Sequence, residues 1–281
     1  MSAVEGMGSD RLAESLLGFW VESGVDAMLL DEPVDRIAQG RIVQGRTAPP
    51  RPAPRAPARA ATPAQPAAAV AADLSDKLAE ARALAAAASD IEALGAAIAG
   101  FDGCPLKFEG AAQRSVFYRG SLTAPVIVIG EGPGAEEDVQ GLPFVGRAGK
   151  LLDRMLGAAG LADRVFITNT VFWRPPGNRT PTLAEQQVCR PFVERAIELI
   201  SPKILLLVGG ASAKAMLRRD EGVLSLRGRW FEWRDEAGAH EIPAMPTLHP
   251  AFLLRQPAAK KRAWSDLLTL VERLDRPERP G

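Results

Sequence analysis

The 281-residue sequence predicts an α/β fold, a three-layer sandwich in which a central, mostly parallel four-stranded sheet is flanked by helices. Short apolar runs, typical of buried parallel strands, alternate along the chain with longer segments of helical periodicity. The predicted strands are Val126–Ile129, Val165–Val171, Ile204–Val208 and Met245–Leu248. In such sheets the chemistry lies at the carboxyl ends of the strands, so the loops after the first, second and fourth strands are candidate functional loops.

Helical segments separate these strands and supply the outer layers of the sandwich. The helices are predicted at Arg147–Ala159, Leu183–Ile200, Ser212–Arg218 and Lys261–Leu274. A hairpin is predicted over Leu226–Arg234, and one or two alanine-rich helices, broken near Ser89–Asp90, over Asp73–Phe101. The globular domain is therefore predicted to span residues 73–281.

The front of the chain has a different composition. Residues 1–45 contain a predicted helical segment, in which Leu12 and Trp20 belong to a helically spaced apolar set. Residues 46–72 are mostly Ala, Pro and Arg, with four arginines and no acid. Proline denies this stretch helical hydrogen bonds and its apolar content is too small to drive collapse, so a disordered linker is predicted. Two uses stay open: a plain spacer, or a basic arm that holds nucleic acid through phosphate contacts.

Charge and composition narrow the class of protein. Lys+Arg and Asp+Glu number 34 each, so a globally basic nucleic-acid coat is excluded while a local basic face is not. Two cysteines cannot build a disulfide framework, and a reducing compartment is the simpler interpretation. No apolar run approaches the ~20 residues of a membrane helix, and the N-terminus lacks a signal-peptide pattern. We therefore expect a cytoplasmic protein without a membrane partner.

The first candidate loop is glycine-rich and runs from Gly130 to Ala135. It matches the pattern G-x-G-x-x-A, which by itself is a weak sign of dinucleotide binding. Pro133 interrupts the turn where a helix should begin to donate amides, and no acid closes the next strand to hold a ribose. These features disfavour a nucleotide cofactor. What remains is a loop whose backbone can approach a ligand closely and whose polar side chain, Glu131, projects into the cleft.

The other two loops carry an asparagine and a histidine. Asn169 ends its strand and offers one donor and one acceptor, as an amide or imide base edge requires. Taken alone, such an asparagine also fits a turn cap. His249 is one of only two histidines, and Pro250 behind it shapes a rigid turn that two leucines follow.

Together the three loops carry a resemblance to a known family. The segments GEGPG, GLPFVGRAGKLLD, ITN…RPPGNRTPT and MPTLHPAFLLR occur in this order between Leu94 and Leu274. In this order and spacing the chain resembles the uracil-DNA glycosylases, and it is most similar to the family 4 type, normally an iron–sulfur enzyme. The resemblance implies the uracil-DNA glycosylase fold and a monofunctional hydrolase that cleaves the N-glycosidic bond of deoxyuridine in base excision repair.

The resemblance also implies the partners of such an enzyme. Its substrate would be uracil-containing DNA, and the target base must leave the stack because its C1′ is unreachable inside a duplex. We further expect a cytoplasmic, nucleoid-associated monomer of the bacterial type. The N-terminal segment is then a candidate contact to DNA or to another repair protein.

Four residues take reaction roles from their matches to the family motifs. Phe144 matches the aromatic residue that stacks on the flipped uracil, and Asn169 matches the residue that reads the uracil edge. His249 matches the histidine that faces uracil O2, where a fixed donor stabilises the charge that grows on the departing base. Glu131 matches the acid that orients the attacking water and offsets positive charge on the sugar.

Supporting roles follow from the same matches. Gly132 and Gly134 would present their backbone to the flipped nucleotide, and Glu137 occupies the position that crowds out the thymine methyl group. Leu253 is the match to the side chain that enters the vacated duplex space, with Leu254 and Arg255 as its neighbours. An apolar wedge of this kind offsets part of the unstacking cost.

The chain departs from the family at the iron–sulfur cluster, which four cysteines normally hold. Only Cys104 and Cys189 match, whereas Phe101 and Trp173 stand at the other two ligand positions. A cluster needs a ligand for each iron, so we predict that no metal or cluster is bound and that the two aromatic side chains fill its volume. The remaining thiols are expected to be buried and inert.

Two alternatives to a uracil-specific enzyme stay open. Loss of the cluster ligands suggests a branch that has drifted, so the first is a glycosylase with a wider range of damaged bases. The second is a non-catalytic DNA-binding module that kept the fold. The joint presence of Glu131, Asn169 and His249 favours an enzyme, and activity on a uracil-bearing oligonucleotide separates the cases.

Overall fold

The computed structural model describes residues 67–276, with side chains from residue 73 onward. The predicted helical segment within residues 1–45 and most of the predicted linker lie outside the described residues. No helix in the described part of the chain has the length and apolar character needed to cross a membrane.

The sheet has six strands, of which the central four are parallel, as predicted. In chain order they are β1 (Arg119–Gly120), β2 (Val126–Gly130), β3 (Val165–Asn169), β4 (Ile204–Val208), β5 (Phe231–Arg234) and β6 (Glu241–Thr247). Their order across the sheet is β1-β3-β2-β4-β6-β5, and the two edge strands β1 and β5 run antiparallel to their neighbours. The edge strands are additions to the predicted four-stranded sheet, and β1 is only two residues long, too short to give a sequence pattern.

Helices surround the sheet and connect its strands. They are α1 (Ala67–Ala87), α2 (Ile91–Gly100), α3 (Ala135–Gln140), α4 (Arg147–Ala158), α5 (Leu183–Ile200), α6 (Gly210–Leu217), α7 (Val223–Leu226), α8 (Pro250–Arg255) and α9 (Lys260–Asp275). The predicted break between the first two helices is present: the Asp90 side chain caps α2 by accepting the Ala93 N–H at 2.8 Å. Helix α1 begins at Ala67, inside the predicted linker, because the alanine-rich run after Pro66 has high helix propensity.

The two faces of the sheet bury separate apolar clusters, which confirms the three-layer arrangement. Along β2, Ile127 and Ile129 face the layer that contains α1, α2 and α5. Val126 and Val128 face the opposite layer, which contains α4 and α9. Both faces of the central strands are thus buried, which explains why these strands are continuous apolar runs without polar alternation.

The hairpin predicted over Leu226–Arg234 is wrong in position. Residues up to Leu226 form the short helix α7, and the hairpin pairs β5 with β6 further along the chain. Its turn is closed by Asp235, whose carboxylate accepts the Ala239 N–H at 2.8 Å. The turn chemistry therefore lies at Asp235 and Gly238 rather than before β5.

Candidate active site

A cavity of about 540 Å³ lies at the carboxyl end of the parallel strands, where the sequence predicts the site. The loops after β2 and β3, the loop before α4 and the residues around the start of α8 form its walls. The predicted site residues that line it are Glu131, Gly132, Gly134, Glu137, Phe144, Asn169, His249 and Arg255. The sheet therefore brings together residues that are far apart in the sequence.

Asn169 ends β3 and faces this cavity with an unsatisfied amide. Its side chain is 1% exposed, and neither Oδ1 nor Nδ2 has a hydrogen-bond partner among the described residues. A buried amide without partners is costly, so the unpaired donor and acceptor indicate a ligand with a complementary polar edge. The alternative of a turn-capping asparagine does not hold, because a cap would engage the backbone.

Gly130 makes the approach of Asn169 and Phe144 feasible, and sequence reasoning did not single it out. A β-carbon at Gly130 would lie 2.5 Å from Asn169 Oδ1 and 2.5 Å from two atoms of the Phe144 ring. Gly130 also pairs with Asn169 across the β2–β3 register. The available signal was a glycine at the end of an apolar strand, which marks close approach of backbone to another group.

Phe144 lies against His249 at the floor of the cavity. Its ring centroid is 5.7 Å from that of His249, with the ring planes tilted by 32°. The Phe144 backbone has a φ of 55°, a left-handed conformation that bulky residues rarely adopt. Phe144 is 6% exposed and lines the cavity.

His249 is the N-cap of α8, and its imidazole is held in one tautomer. Its Nδ1 accepts the Ala251 N–H at 3.2 Å, so the proton of the neutral ring is on Nε2. Burial, assisted by the charge of Arg255 and opposed by Glu137, lowers the pKa of His249 to about 4. At neutral pH the residue is therefore a neutral donor through Nε2.

Glu131 follows β2 directly and is only partly buried. Its backbone carbonyl accepts the Thr170 hydroxyl at 2.6 Å, which ties the glycine-rich loop to the end of β3. No described residue forms a hydrogen bond with its carboxylate. Next to it, a β-carbon on Gly132 would lie 2.9 Å from Val171, so this position also requires close packing of the backbone. The carboxylate is left free to act on a molecule in the cavity.

Glu137 lines the cavity, but its carboxylate is occupied by the backbone. Oε1 accepts the N–H groups of Val145 and Gly146, both at 2.9 Å, and Oε2 accepts that of Gly134 at 3.1 Å. The family resemblance implies only the exclusion of a methyl group at this position. The structure gives Glu137 a further task, which is to join two loops of the site.

Leu253, the predicted wedge, does not lie on the surface of this structure, and its entry into DNA stays a prediction. Leu253 is fully buried and packs with Leu151, Leu248 and Ala263, because one turn of α8 directs it toward α4. Leu254 is half-buried against the same cluster, whereas Arg255 is exposed and lines the cavity. The match to the family motif gives the position of this segment in the sequence but not which side of a short helix meets the core.

Arg179 is a second residue that sequence reasoning did not single out. It lines the cavity, and its guanidinium donates to both oxygens of the buried Glu185, at 2.6 and 2.9 Å, and to Glu109 at 3.1 Å. These contacts fasten the proline-rich loop after β3 to α5. Arginines are common in loops of this composition, so nothing in the sequence marks this one for the role.

The residues around Cys104 do not fit an iron–sulfur cluster. The Cys104 and Cys189 sulfurs lie 3.8 Å apart, and Phe101 and Trp173 are buried in the same apolar cluster. Burial and the adjacent Cys104 thiol raise the pKa of Cys189, so the protonated thiol rather than the metal-binding thiolate is favoured. Among the described residues, no group of three or more His, Cys, Asp or Glu side chains is placed to hold a metal ion.

The sequence is also similar to known proteins. The chain is 38% identical over 184 residues to the type-4 uracil-DNA glycosylase of Pyrobaculum aerophilum, a match covering 63% of this chain and 91% of that protein. The enzyme of the same name from Saccharolobus solfataricus is 39% identical over 168 residues, which cover 58% of this chain and 77% of that protein. The one from Thermotoga maritima is 38% identical over 154 residues, covering 54% and 77%.

A family comparison gives the same result over the part of the chain that forms the cavity. Residues 117–268 match the family described as the uracil DNA glycosylase superfamily, and this range includes all of the predicted site residues. The match spans more than half of the sequence, and the relatives are covered over most of their length. The chain therefore belongs to the uracil-DNA glycosylase superfamily of enzymes and is similar to its type-4 members.

Proposed function

We propose that this protein hydrolyses the N-glycosidic bond of deoxyuridine flipped out of DNA, releasing uracil and leaving an abasic site for base excision repair. The names of the relatives and the family match support the activity on uracil in DNA. The residues of the cavity support the finer steps of the reaction. They describe a monofunctional hydrolase that needs no covalent intermediate with the protein.

One observation carries the proposal: the buried amide of Asn169 has a donor and an acceptor without partners. Uracil presents an acceptor at O4 and a donor at N3–H on one edge, which complements the Nδ2 and Oδ1 of an asparagine. Cytosine presents a donor amine and an unprotonated ring nitrogen on that edge. The amine would face the Nδ2 donor of the asparagine, and the ring nitrogen would face its Oδ1 acceptor. A site built to hydrogen-bond one edge rejects the wrong one strongly, because buried polar groups are left unpaired.

Phe144 and His249 act on the bound base from two directions. The Phe144 ring offers its face to the flipped pyrimidine, and stacking of this kind contributes about 1–3 kcal/mol per base. The Nε2–H of His249 is the donor proposed to meet uracil O2. As the glycosidic bond lengthens, negative charge moves onto the base, and a fixed donor in a buried site stabilises it without reorganisation.

Glu131 is proposed to act on the sugar side of the bond. Its free carboxylate accepts a hydrogen bond from a water molecule that attacks C1′, and its charge opposes the positive charge that develops on the sugar. The C1′–N1 bond breaks with its electron pair on uracil, and the water oxygen bonds to C1′. The water proton leaves through Glu131, and solvent protonates the released base.

The enzyme is also proposed to work without an iron–sulfur cluster. The contact between the two thiols and the burial of Phe101 and Trp173 support this, because the aromatic side chains take the volume that additional ligands and irons would need. No step of the proposed reaction passes through a metal. The Phe101 ring packs against Phe192 at a centroid distance of 5.2 Å, and both belong to the apolar cluster on this face of the sheet.

The test is single-turnover excision on a panel of oligonucleotides, each with one lesion, in single- and double-stranded form. Uracil release by the wild type, lost in His249→Ala, is the expected result. Excision of several damaged bases at similar rates would replace the proposal with a broad-range glycosylase. Binding of DNA without release of any base would identify a non-catalytic module.

A further inference from the structure

The loop between α3 and α4, residues 141–146, carries Phe144 and is called the Phe144 loop. It is held in a conformation that its own sequence disfavours. Phe144 has a positive φ of 55°, although it carries a bulky side chain. Residues persist in this region of backbone space only where the surrounding structure over-determines them. The contacts that impose the conformation are therefore part of how the ring reaches the cavity.

Arg119 holds the loop by its carbonyl groups. Its Nε donates to Pro143 O at 2.7 Å, and its Nη2 donates to Phe144 O at 3.1 Å and to the Asp153 carboxylate at 2.6 Å. The planar guanidinium fork suits two neighbouring carbonyls, which a lysine ammonium could not span in the same way. Arg119 lies in β1, directly opposite Ile167 of β3. The restraint is thus built on the strand that pairs with the one carrying Asn169.

Glu137 holds the same loop by its N–H groups. Its Oε1 accepts from Val145 and Gly146, the two residues that follow Phe144. Arg119 and Glu137 together therefore engage four successive residues, the cation taking the carbonyl oxygens and the anion taking the amide hydrogens. Gly149 completes the enclosure, because a β-carbon there would overlap the carbonyl of Phe144.

These contacts place the Phe144 ring between Gly130 and His249. The ring atoms of Phe144 occupy space that a β-carbon on Gly130 would enter, and the ring centroid is 5.7 Å from that of His249. Release of the Phe144 carbonyl would let φ return to negative values and turn the side chain away from both neighbours. Arg119 itself does not line the cavity, so any effect it has on the reaction passes through the loop.

We propose that Arg119, with Glu137 as its counterpart, is a positioning residue that sets the stacking surface of Phe144 for the flipped base. The inference rests on the proposed function for its effect on excision, and on geometry alone for its effect on the loop. The competing explanation is that Arg119 only stabilises the short edge strand β1. A stabilising contact would affect the whole domain and would act independently of the Phe144 ring.

The first test is a double-mutant cycle on single-turnover uracil excision. Arg119→Met keeps a long side chain and removes the guanidinium. We expect it to slow excision roughly tenfold, an effect within the range of coupling between residues in contact. In a Phe144→Ala background the same change should slow excision less than about twofold, because the ring it positions is absent. Equal factors in both backgrounds would overturn the proposal. Arg154→Met, at an exposed position beside Asp153, is the matched control and should leave the rate unchanged.

The second test reads the loop without any reaction. Hydrogen exchange at the amides of Val145 and Gly146 should be faster in Arg119→Met, with no change at β3, because only the loop loses its restraint. Unchanged exchange at both amides would overturn the proposal even if excision slowed. If the wild type releases no uracil, the proposed function fails while the exchange result still decides whether Arg119 restrains the loop.

A conservative variant covers the case in which Arg119→Met does not fold. Arg119→Lys keeps the charge and can engage Asp153 but loses the fork that spans two carbonyls. Exchange and excision intermediate between wild type and Arg119→Met support the positioning role. Wild-type behaviour of Arg119→Lys in both measurements would show that the charge alone is needed, and would contradict the proposal that the guanidinium must span the Pro143 and Phe144 carbonyls.

Discussion

The Nδ1 atom of His249 accepts the backbone N–H of Ala251 at 3.2 Å, and this contact determines which ring nitrogen can donate to a substrate. A nitrogen that accepts cannot carry the ring proton in the neutral form, so Nε2 is the donor. The same contact caps the N-terminus of α8, which begins at the next residue, Pro250. Local backbone structure and the chemistry of the site thus depend on one hydrogen bond.

The first prediction concerns stability at low pH. The folded-state pKa of His249 is about 4, below the 6.5 of a free histidine, because burial disfavours the charged ring. The folded state therefore binds fewer protons at His249 than the unfolded state does. The contribution of His249 to the free energy of unfolding is fully present above pH 6.5 and is lost as the pH falls toward 4. The wild type should lose roughly 2–3 kcal/mol from this residue between pH 7 and pH 4.5.

Urea denaturation of the wild type and of His249→Asn at the two pH values measures this effect. Asparagine is chosen because it preserves an N-cap without a titrating group. The difference between the two proteins isolates the histidine from the carboxylates that titrate in both. Equal losses in wild type and variant would show that His249 does not carry the shift.

The second prediction separates a residue that reads the base from a structural one. Asn169→Ala should reduce uracil excision by about 100-fold or more, since two hydrogen bonds to the base are removed at about 1.5 kcal/mol each. Affinity for DNA should be largely kept, because phosphate contacts supply most of it. Single-turnover kinetics and fluorescence anisotropy measure the two quantities.

The stability of the same variant provides the control. A structural asparagine makes bonds within the protein, so its removal would lower the free energy of unfolding. Asn169 has no such partners among the described residues, and Asn169→Ala should therefore unfold at the same or a higher denaturant concentration. A clear loss of stability with full excision would assign Asn169 to the fold instead of the site.

The third prediction concerns stacking. Phe144→Ala should slow excision by about 5- to 150-fold, corresponding to the ~1–3 kcal/mol of one base–aromatic stack. Phe144→Leu should recover only part of the rate, because it restores apolar area without a planar face. The measurement is single-turnover excision with saturating enzyme, and a rate unchanged by Phe144→Ala would mean that another surface holds the base.

The strands and loops of the site could be predicted because their signals are local. Four apolar runs indicated the parallel strands, and each candidate loop followed one of them. Contacts that join distant segments had no such signal: Arg119 meets the Phe144 loop only because the edge strand β1 pairs with β3. Leu253 shows the same limit, since two neighbouring leucines in α8 differ in burial by their helical position and not by their type.

The fourth prediction concerns the thiols and the absent cluster ligands. Purified protein should contain no stoichiometric iron and show no visible absorption band, because two thiols cannot complete a cluster. Cys104 and Cys189 are both buried, so a thiol reagent should react with neither in the native protein and with both after denaturation. Stoichiometric iron with a visible band would contradict the prediction.

The fifth prediction concerns the residues before α1. The globular domain is predicted to begin at Asp73, but helix α1 begins at Ala67, so a truncated protein should begin at Ala67. A protein that begins at Ala67 should fold and retain single-turnover excision at saturating enzyme, because the matched family region starts only at residue 117. Its affinity for DNA should fall at low salt, and the salt dependence should flatten, since four arginines and no acid lie within residues 46–72.

Two variants distinguish how the removed residues act. Substitution of Arg46, Arg51, Arg55 and Arg59 by glutamine in the full chain should reproduce the salt effect of truncation if these residues form a tethered basic arm. Each arginine that no longer meets a phosphate changes the slope of log K against log salt by about 0.9 for a duplex, so the slope gives the number of phosphates that the arm neutralises.

A helical segment that docks on the catalytic domain predicts a lower melting temperature on truncation, whereas a tethered arm predicts no change. An insoluble truncated protein, or one inactive at saturating enzyme, would show that the front of the chain belongs to the working domain.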